Sequence, residues 1–303
     1  MGRRATIRIY GALFAAMLVW GFSFLAIKDA VGTIPVLSLS FTRFAIAALL
    51  LGLLGLARKR LAVSRRSLLY LAGLSLLSPV GYFLFETYGI SMTQASHASI
   101  LIAAIPIAVY AIAFFRKQET ATWRKSVGIL LAFSGVAAII ASSPGEEGAS
   151  LAGDLLILGA VLCAAVRTTL IKDALRRISP LQLTFYQFFF SLFVFGPLAA
   201  TQGFSWLDKM TPLLWAEVLF LGVGCSALAF LAMHYALSHL AATRVAVSAN
   251  TVPLVTLFAE AILFGIPLTP MKLIGTLMTI SGVVIAQRRS SALTTPSLTE
   301  RGA

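Results

Sequence analysis

Two charged side chains stand deep inside apolar stretches of this chain, and they are the residues best able to do chemistry. Arg43 lies within the apolar run 34–57, and Glu86 lies within the run 68–90. A charge held away from water is costly, so each is a functional candidate by default. A guanidinium group suits a carboxylate ligand, and a carboxylate suits an amino group or a coupling proton. The alternatives are a structural Arg43–Glu86 pair, or an Arg43 side chain that extends outward to the surface.

Four further residues are candidates for the wall of a binding site, because each places an aromatic or polar side chain in an apolar setting. Aromatic residues in such settings also pack against lipid or lie at its interface, and this alternative stays open. The four residues are Trp20, Tyr82, Tyr186 and Asn250.

Other ionisable residues lie near the ends of apolar runs. We expect Arg167 to extend toward the nearer end of its helix, where its charge would meet the headgroups. We expect His97, His234 and His239 to be solvated helix-end residues, with a gating role as the alternative for His97.

The sequence carries no complete motif for catalysis or for cofactor binding. The fragments Gly21-Phe22-Ser23 and Gly73-Leu74-Ser75 do not complete a Gly-x-Ser-x-Gly turn, and neither has a placed histidine partner. There is no His-Glu-x-x-His and no Gly-x-x-x-x-Gly-Lys loop. Cys163 and Cys225 lie inside apolar runs and are expected to be core residues rather than a disulfide or a metal site. We therefore expect no catalytic residue, no metal and no cofactor.

The composition is that of a membrane protein. Hydrophobic residues make up 59% of the 303 positions and charged residues 12%, whereas soluble domains are about a quarter charged. The net charge of +13 comes from 24 Lys+Arg against 11 Asp+Glu. Cytoplasmic loops that face anionic lipid explain this excess better than nucleic-acid binding, because no basic helix is interleaved with aromatic residues. The expected partner is therefore a lipid bilayer and not a nucleic acid.

Ten apolar runs are long enough to cross a bilayer as helices, each needing about 17–25 residues. Backbone polar groups cannot stay unpaired in hydrocarbon, so helices are expected rather than strands. The runs are 9–27, 34–57, 68–90, 95–115, 127–142, 151–171, 181–201, 213–237, 242–264 and 273–287. Ten crossings place 19 Lys/Arg on one side and 3 on the other, which predicts that both termini are cytoplasmic. The predicted fold class is an all-α integral membrane protein of ten transmembrane helices.

The chain contains its own pattern twice. Residues 82–138 match residues 229–285 at a constant offset of 147, with Phe83 on Phe230 and Pro106 on Pro253. The front halves match at an offset of 144. Five crossings separate the copies, so the two five-helix units have opposite orientation, which is the inverted repeat typical of secondary transporters. We predict a first unit at 1–142, a linker at 143–150, a second unit at 151–289 and a disordered cytoplasmic tail at 290–303.

Two prolines predict bent helices in the repeat. Pro106 and Pro253 interrupt the fourth helix of each unit, and each follows a turn that bears Tyr88 or Tyr235. Proline removes one backbone hydrogen bond and usually kinks a helix. We predict that these four residues form gates beside a central cavity, the alternative being a static kink.

Small residues recur on one face of the fifth helix of each unit. They are Gly128 and Gly135 in the first unit and Gly275 and Gly282 in the second. Small faces permit close helix contact, so we predict that the two fifth helices pack on each other. The alternative is a seam between two chains, although one chain holds both units and a monomer is sufficient.

Four groups of residues, taken in order, are similar to those of a known family. They are Trp20-Gly21-Phe22-Ser23-Phe24 in the first helix, the Phe41–Arg43 region in the second, Tyr88, Ala95 and Pro106 across the third and fourth, and Gly128 with Ser134-Gly135 in the fifth. Together they resemble the drug/metabolite transporter (DMT) superfamily, EamA type, over nearly the whole chain. The resemblance implies a ten-helix carrier of small metabolites in the bacterial inner membrane, often an amino-acid exporter.

We therefore expect a secondary transporter that exports amino acids by alternating access and is driven by a gradient. Export of drugs, nucleosides or other metabolites is the alternative, and a channel or an intramembrane enzyme fits less well. Glu86 is also the candidate for coupling to protons. The expected substrate-binding residues are Glu86, Arg43, Tyr82, Trp20, Asn250 and Tyr186.

Overall fold

The computed structural model describes residues 3–115, 123–141, 150–175, 177–240, 245, 248–249, 251–265 and 267–287. These residues form helices and short connections, with no strand in the described part of the chain. Among the described residues, seven helices are long and apolar enough to cross a membrane, and three shorter apolar helices accompany them. The all-helical prediction is therefore confirmed.

The described part of the first unit contains seven α-helices. They are α1 (Arg3–Ala30), α2 (Val36–Ala57), α3 (Arg65–Ser75), α4 (Tyr82–Met92), α5 (Ala95–Ile102), α6 (Ile105–Phe115) and α7 (Trp123–Ala141). A π-helical segment, Leu76–Gly81, joins α3 to α4, so these three pieces form one long bent crossing.

The second unit repeats this arrangement. Its helices are α8 (Leu151–Ala174), α9 (Pro180–Ala200), α10 (Pro212–Leu219), α11 (Phe230–His239), α12 (Thr251–Phe264) and α13 (Pro270–Gln287). A π-helical segment, Phe220–Ala229, joins α10 to α11, and a short 3₁₀-helix, Ser205–Lys209, precedes α10. Helix α9 begins sharply because Ser179 and Gln182 form a capping box and Pro180 takes the first helical position.

The third crossing of each unit changes to π-helical geometry near its middle, and we call these two the bent crossings. At Ser78 the backbone leaves helical geometry (φ −158°, ψ 126°), directly before Pro79. Proline and π-helical turns are common causes of helix kinks, and π-helical turns recur at functional sites. The sequence analysis placed interruptions only at Pro106 and Pro253 and missed these two bends.

The two units pack against each other in a reciprocal pattern. Helix α2 lies along α9, and α7 lies along α13. Helix α1 contacts the bent crossing of the second unit, and α8 contacts the bent crossing of the first. Helix α1 also packs on α12, while α8 packs on α5 and α6. Each contact recurs with the units exchanged, as a two-fold relation between them requires.

Glycines permit the close approach of α7 and α13. A β-carbon built on Gly135 would lie 2.6 Å from the carbonyl oxygen of Gly275, and one built on Gly282 would lie 2.5 Å from that of Gly128. Real β-carbons essentially never come within 3.0 Å of another heavy atom, so only glycine fits at these two positions. The four predicted packing glycines thus meet inside one chain, and the contact is reciprocal.

Candidate functional site

A group of buried polar and charged side chains, with one partly buried tyrosine, lies where the two bent crossings meet α2, α8 and α9. We call it the central cluster, and its members are Arg43, Tyr82, Glu86, Arg167 and His234. Exposed fractions are only 2% for Arg43, 5% for Glu86, 6% for Arg167 and 0% for His234. Buried charges in a membrane-spanning bundle mark substrate or ion pathways, so this cluster is the candidate site.

Arg43 is held inside the bundle and keeps part of its guanidinium group free. Its Nε donates a hydrogen bond to Ser226 Oγ at 3.1 Å, across from α2 to the bend of the eighth crossing. Its Cζ lies 4.7 Å from the centre of the Phe83 ring, which gives the charge a cation–π contact. Its Nη1 is buried without a hydrogen-bond partner among the described residues. Arg43 therefore does not extend to the surface, and one donor stays available for a ligand.

Glu86 is also only partly satisfied. The Tyr82 hydroxyl, one turn earlier on α4, donates to Glu86 Oε1 at 2.8 Å. Glu86 Oε2 is buried and has no hydrogen-bond partner in the described part of the chain. The structure thus brings Tyr82 and Glu86 together and leaves one carboxylate oxygen open.

Arg43 and Glu86 do not form the structural pair that the sequence allowed. Within the described ranges, the one ion pair found within 4.0 Å joins His97 to Asp154. Arg43 and Glu86 are near enough to interact electrostatically, yet neither neutralises the other by direct contact.

Arg167 and His234 differ from our expectation. We expected Arg167 to extend toward the headgroups and His234 to be solvated, and both interpretations are wrong because both side chains are buried. Arg167 Nη2 lies 2.8 Å from His234 Nε2, and His234 Nδ1 lies 2.9 Å from Thr184 Oγ1. Both predictions were based on the position of the residue near a helix end. The high cost of placing a charge inside a membrane was the signal that could have identified Arg167 as a site residue.

Phe230 links the parts of the cluster through an aromatic layer. Its ring centre lies 5.1 Å from Trp20, 5.4 Å from Phe188 and 6.0 Å from Phe83. Phe83 and Phe230 are repeat counterparts, so equivalent residues of the two units face each other here. Trp20 also donates from Nε1 to the Cys225 carbonyl at 3.3 Å, which fixes this predicted site residue at the edge of the cluster.

The second helix of each unit holds the bend of the other unit. Arg43 on α2 donates to Ser226 in the second bend. Gln187, which follows Arg43 by the repeat offset of 144, donates from Nε2 to the Ser78 carbonyl at 3.1 Å. A kink frees backbone carbonyls, and the buried amide of Gln187 satisfies one of them.

Of the remaining predicted binding residues, the described one, Tyr186, does not join the cluster. The Tyr186 hydroxyl donates to the Leu61 carbonyl at 2.9 Å, near the start of α3. Asn250 lies outside the described residues.

The predicted gating residues are spread along the bundle. Pro106 is the second residue of α6, after a break in the helix at 103–104, and Pro253 is the third residue of α12. Tyr88 lies on α4, and Tyr235 lies on α11 with 42% of its surface exposed. Their role in gating stays a prediction.

A second buried polar network closes the bundle end that the charge pattern places outside. Lys28 Nζ donates to the carbonyl of Thr93 at 2.7 Å, and Thr93 Oγ1 donates to Asp154 Oδ1 at 2.7 Å. His97 Nδ1 lies 3.8 Å from Asp154 Oδ2, and His97 is fully buried. The solvated helix-end interpretation of His97 is therefore wrong as well. This network ties α1, α5 and α8 together.

A cleft of about 500 Å³ opens at the opposite end of the bundle. Its lining includes Leu54, Pro180, Leu231, Tyr235 and His239 from α2, α9 and α11. None of the charged members of the central cluster lines it. The cluster is thus enclosed by protein in this conformation.

Comparison with known proteins identifies the family. Residues 7–141 and 151–287 match the EamA-like transporter family. The chain belongs to this family. A protein of Archaeoglobus fulgidus named an uncharacterized transporter is 31% identical over 279 residues, covering 90% of this chain and 95% of that protein. A probable terminal-alkyne amino-acid exporter of Streptantibioticus cattleyicolor is 27% identical over 285 residues, covering 92% and 93%.

The fold of this EamA-family member is shared with solved structures. One crystal structure matches with a TM-score of 0.69 at 16% identity, covering 92% of this chain and 98% of that chain. The resemblance noted from the sequence is therefore confirmed. The chain is a multi-pass membrane protein of ten transmembrane crossings, and as a member of a transporter family it has a small-molecule substrate.

Proposed function

We propose that this chain is a secondary transporter that exports amino acids across the bacterial inner membrane. The central cluster carries the proposal: Arg43 and Glu86 are buried on different helices, and each keeps one polar atom without a partner. A guanidinium nitrogen suits a carboxylate, and a carboxylate oxygen suits an ammonium group. An α-amino acid offers both. Similarity to a probable terminal-alkyne amino-acid exporter supports this substrate class.

The energetics of the cluster favour binding over a purely structural role. Each ion taken out of water costs several kcal/mol, which a direct partner normally offsets. Arg43 recovers part of this cost through Ser226 and the Phe83 ring, and Glu86 through Tyr82. Neither is neutralised by a described ion pair. A zwitterionic substrate placed between them would supply both missing partners at once.

The bends beside the cluster supply a route for conformational change. Tyr82 directly follows the first π-helical segment, and Phe230 directly follows the second. A change at either bend therefore moves a residue of the cluster or its aromatic layer. We propose that alternating access uses these bends, with Pro106, Pro253, Tyr88 and Tyr235 as the predicted gates. The division into units at 1–142 and 151–289, with a linker at 143–150 and a tail from 290, belongs to the same proposal.

Counterflow in proteoliposomes tests the function directly. Vesicles preloaded with unlabelled amino acid should take up the labelled amino acid in wild type. Glu86→Gln should abolish the exchange, because the ammonium group of the substrate loses its partner. Glu217→Gln is the matched control, since Glu217 is a half-buried carboxylate near the outer end of α10, away from the cluster.

Each result has a distinct meaning. Exchange that is lost in folded Glu86→Gln and kept in the control supports the proposed site. If Glu86→Gln keeps the exchange but the exchange no longer responds to a pH gradient, Glu86 is a residue of proton coupling. If a panel of amino acids gives no exchange in wild type, the proposed substrate class is wrong, and cationic drugs and nucleosides become the next panel.

A further inference from the structure

Arg167 is a buried charge to which the proposed amino-acid site gives no role. It lies on α8 with 6% of its surface exposed. Its Nη2 contacts His234 Nε2 at 2.8 Å, and its Cζ lies 5.4 Å from the centre of the Phe230 ring. Its Nε is buried, and no residue that the structure describes forms a hydrogen bond with it. Like Arg43, it keeps a free donor inside the bundle.

The hydrogen bonds around His234 show that it is neutral. Arginine only donates, so His234 Nε2 must accept from Arg167 and the ring proton must lie on Nδ1. Nδ1 then donates to Thr184 Oγ1 at 2.9 Å, and the Thr184 hydroxyl donates to the Pro180 carbonyl at 2.7 Å. This chain of bonds orients the guanidinium group of Arg167 but does not neutralise its charge.

The central cluster therefore holds one positive charge more than it can balance. It contains two guanidinium groups, Arg43 and Arg167, and one carboxylate, Glu86. In the part of the chain that the structure describes, no acidic side chain lies within 4.0 Å of either guanidinium group. A zwitterionic amino acid has no net charge and would leave this excess in place. A substrate with one additional negative group would remove it.

The two guanidinium groups belong to one site. Arg43 lies over the Phe83 ring and Arg167 over the Phe230 ring, and these rings are 6.0 Å apart. The Tyr82 hydroxyl, which binds Glu86, is within electrostatic range of both guanidinium groups. One small molecule can therefore contact all three charged side chains after the bundle opens.

We propose that Arg167 binds a second anionic group of the substrate, and that the preferred substrate is an acidic amino acid. This inference rests on the proposed function. Arg43 then takes one carboxylate, Glu86 takes the ammonium group, and Arg167 takes the carboxylate of the side chain. His234 and Thr184 are positioning residues, because they orient Arg167 without touching the substrate.

Glutamate and glutamine form a matched pair of probes, since they have nearly the same shape and differ in the charge of the side chain. Counterflow in wild-type proteoliposomes should show a half-saturating concentration for glutamate at least about tenfold lower than for glutamine, as expected for one buried charge-assisted contact. Arg167→Gln should remove this preference, so that glutamate and glutamine have similar half-saturating concentrations. Arg177→Gln, which changes an exposed arginine between α8 and α9, should leave the preference unchanged.

The results separate this inference from the proposed function. A wild-type protein that exchanges glutamine as well as glutamate overturns the inference and leaves amino-acid transport standing. A glutamate preference that persists in Arg167→Gln overturns the role of Arg167. Absence of exchange with every amino acid overturns the proposed function, and the inference falls with it. If Arg167→Gln does not fold, the wild-type comparison still decides the charge preference, and Arg167→Lys, which keeps the charge, should keep that preference.

Discussion

Replacing Gly135 with alanine tests the closest helix contact in the protein. The new β-carbon would lie 2.5 Å from Thr279 Oγ1 and 2.6 Å from the Gly275 carbonyl oxygen. Because the second neighbour is backbone, a side-chain rotation cannot relieve the overlap, and α7 and α13 must move apart. Overpacking of this kind costs about 1–3 kcal/mol.

Gly73→Ala is the matched control, because Gly73 is also inside a helix and a β-carbon there would meet nothing within 4 Å. Both substitutions gain the same helix propensity, about 1 kcal/mol, so this term cancels in the comparison. The difference in unfolding free energy between the two variants should therefore be about 1–3 kcal/mol, with Gly135→Ala the less stable.

This difference is measured by unfolding the purified variants in mixed micelles. Circular dichroism follows the loss of helix as the concentration of denaturing detergent is raised. Equal stability of the two variants would refute the close contact of α7 and α13. A loss of stability that depends on protein concentration would place the glycine seam between two chains instead of within one.

Three further substitutions test the buried polar groups, each by its unfolding free energy. His234→Ala should lower the unfolding free energy by about 2–5 kcal/mol, because it leaves the buried guanidinium group of Arg167 without its polar partner. The control His239→Ala, on the exposed side of α11, should change the unfolding free energy by less than about 0.5 kcal/mol. Equal effects of the two substitutions would show that the buried contact does not form. Tyr82→Phe should lower the unfolding free energy by about 1–3 kcal/mol and weaken counterflow, because Glu86 loses its hydrogen-bond donor. Wild-type stability in this variant would contradict the 2.8 Å hydrogen bond between Tyr82 and Glu86. Thr93→Val should lower the unfolding free energy by about 1.5–3 kcal/mol, because the buried Asp154 carboxylate loses a hydrogen-bond donor. Wild-type stability in this variant would argue against the polar network at the outer end of the bundle.

The sequence was sufficient to predict the class and the helices of this protein. A bilayer requires long apolar runs with all backbone groups paired, and both requirements are visible in composition and length. The repeat was visible because matching residues such as Phe83 and Phe230 recur at one offset. The glycines of α7 and α13 were predictable as packing residues because close helix contact requires small side chains.

The members of the site were only partly predictable. Arg43, Glu86 and Tyr82 were proposed from the cost of burying polar groups, and the structure brings them together. Arg167 and His234 were assigned to helix ends, because depth along a helix was the one coordinate that the sequence supplied. Their burial depends on which neighbour each side chain faces, and that is decided only when the helices pack.

The physical reason lies in the solvent. In a soluble helix, a polar face and an apolar face show which side meets the core. In a membrane both the lipid and the protein interior are apolar, so this signal vanishes and the rotation of each helix about its own axis cannot be read from its residues. The sequence by itself therefore determined the membrane class, the helices and the internal repeat. Only the tertiary structure decided that Arg43, Glu86 and Arg167 share one enclosed site, because that depends on how the two bent crossings meet α2, α8 and α9.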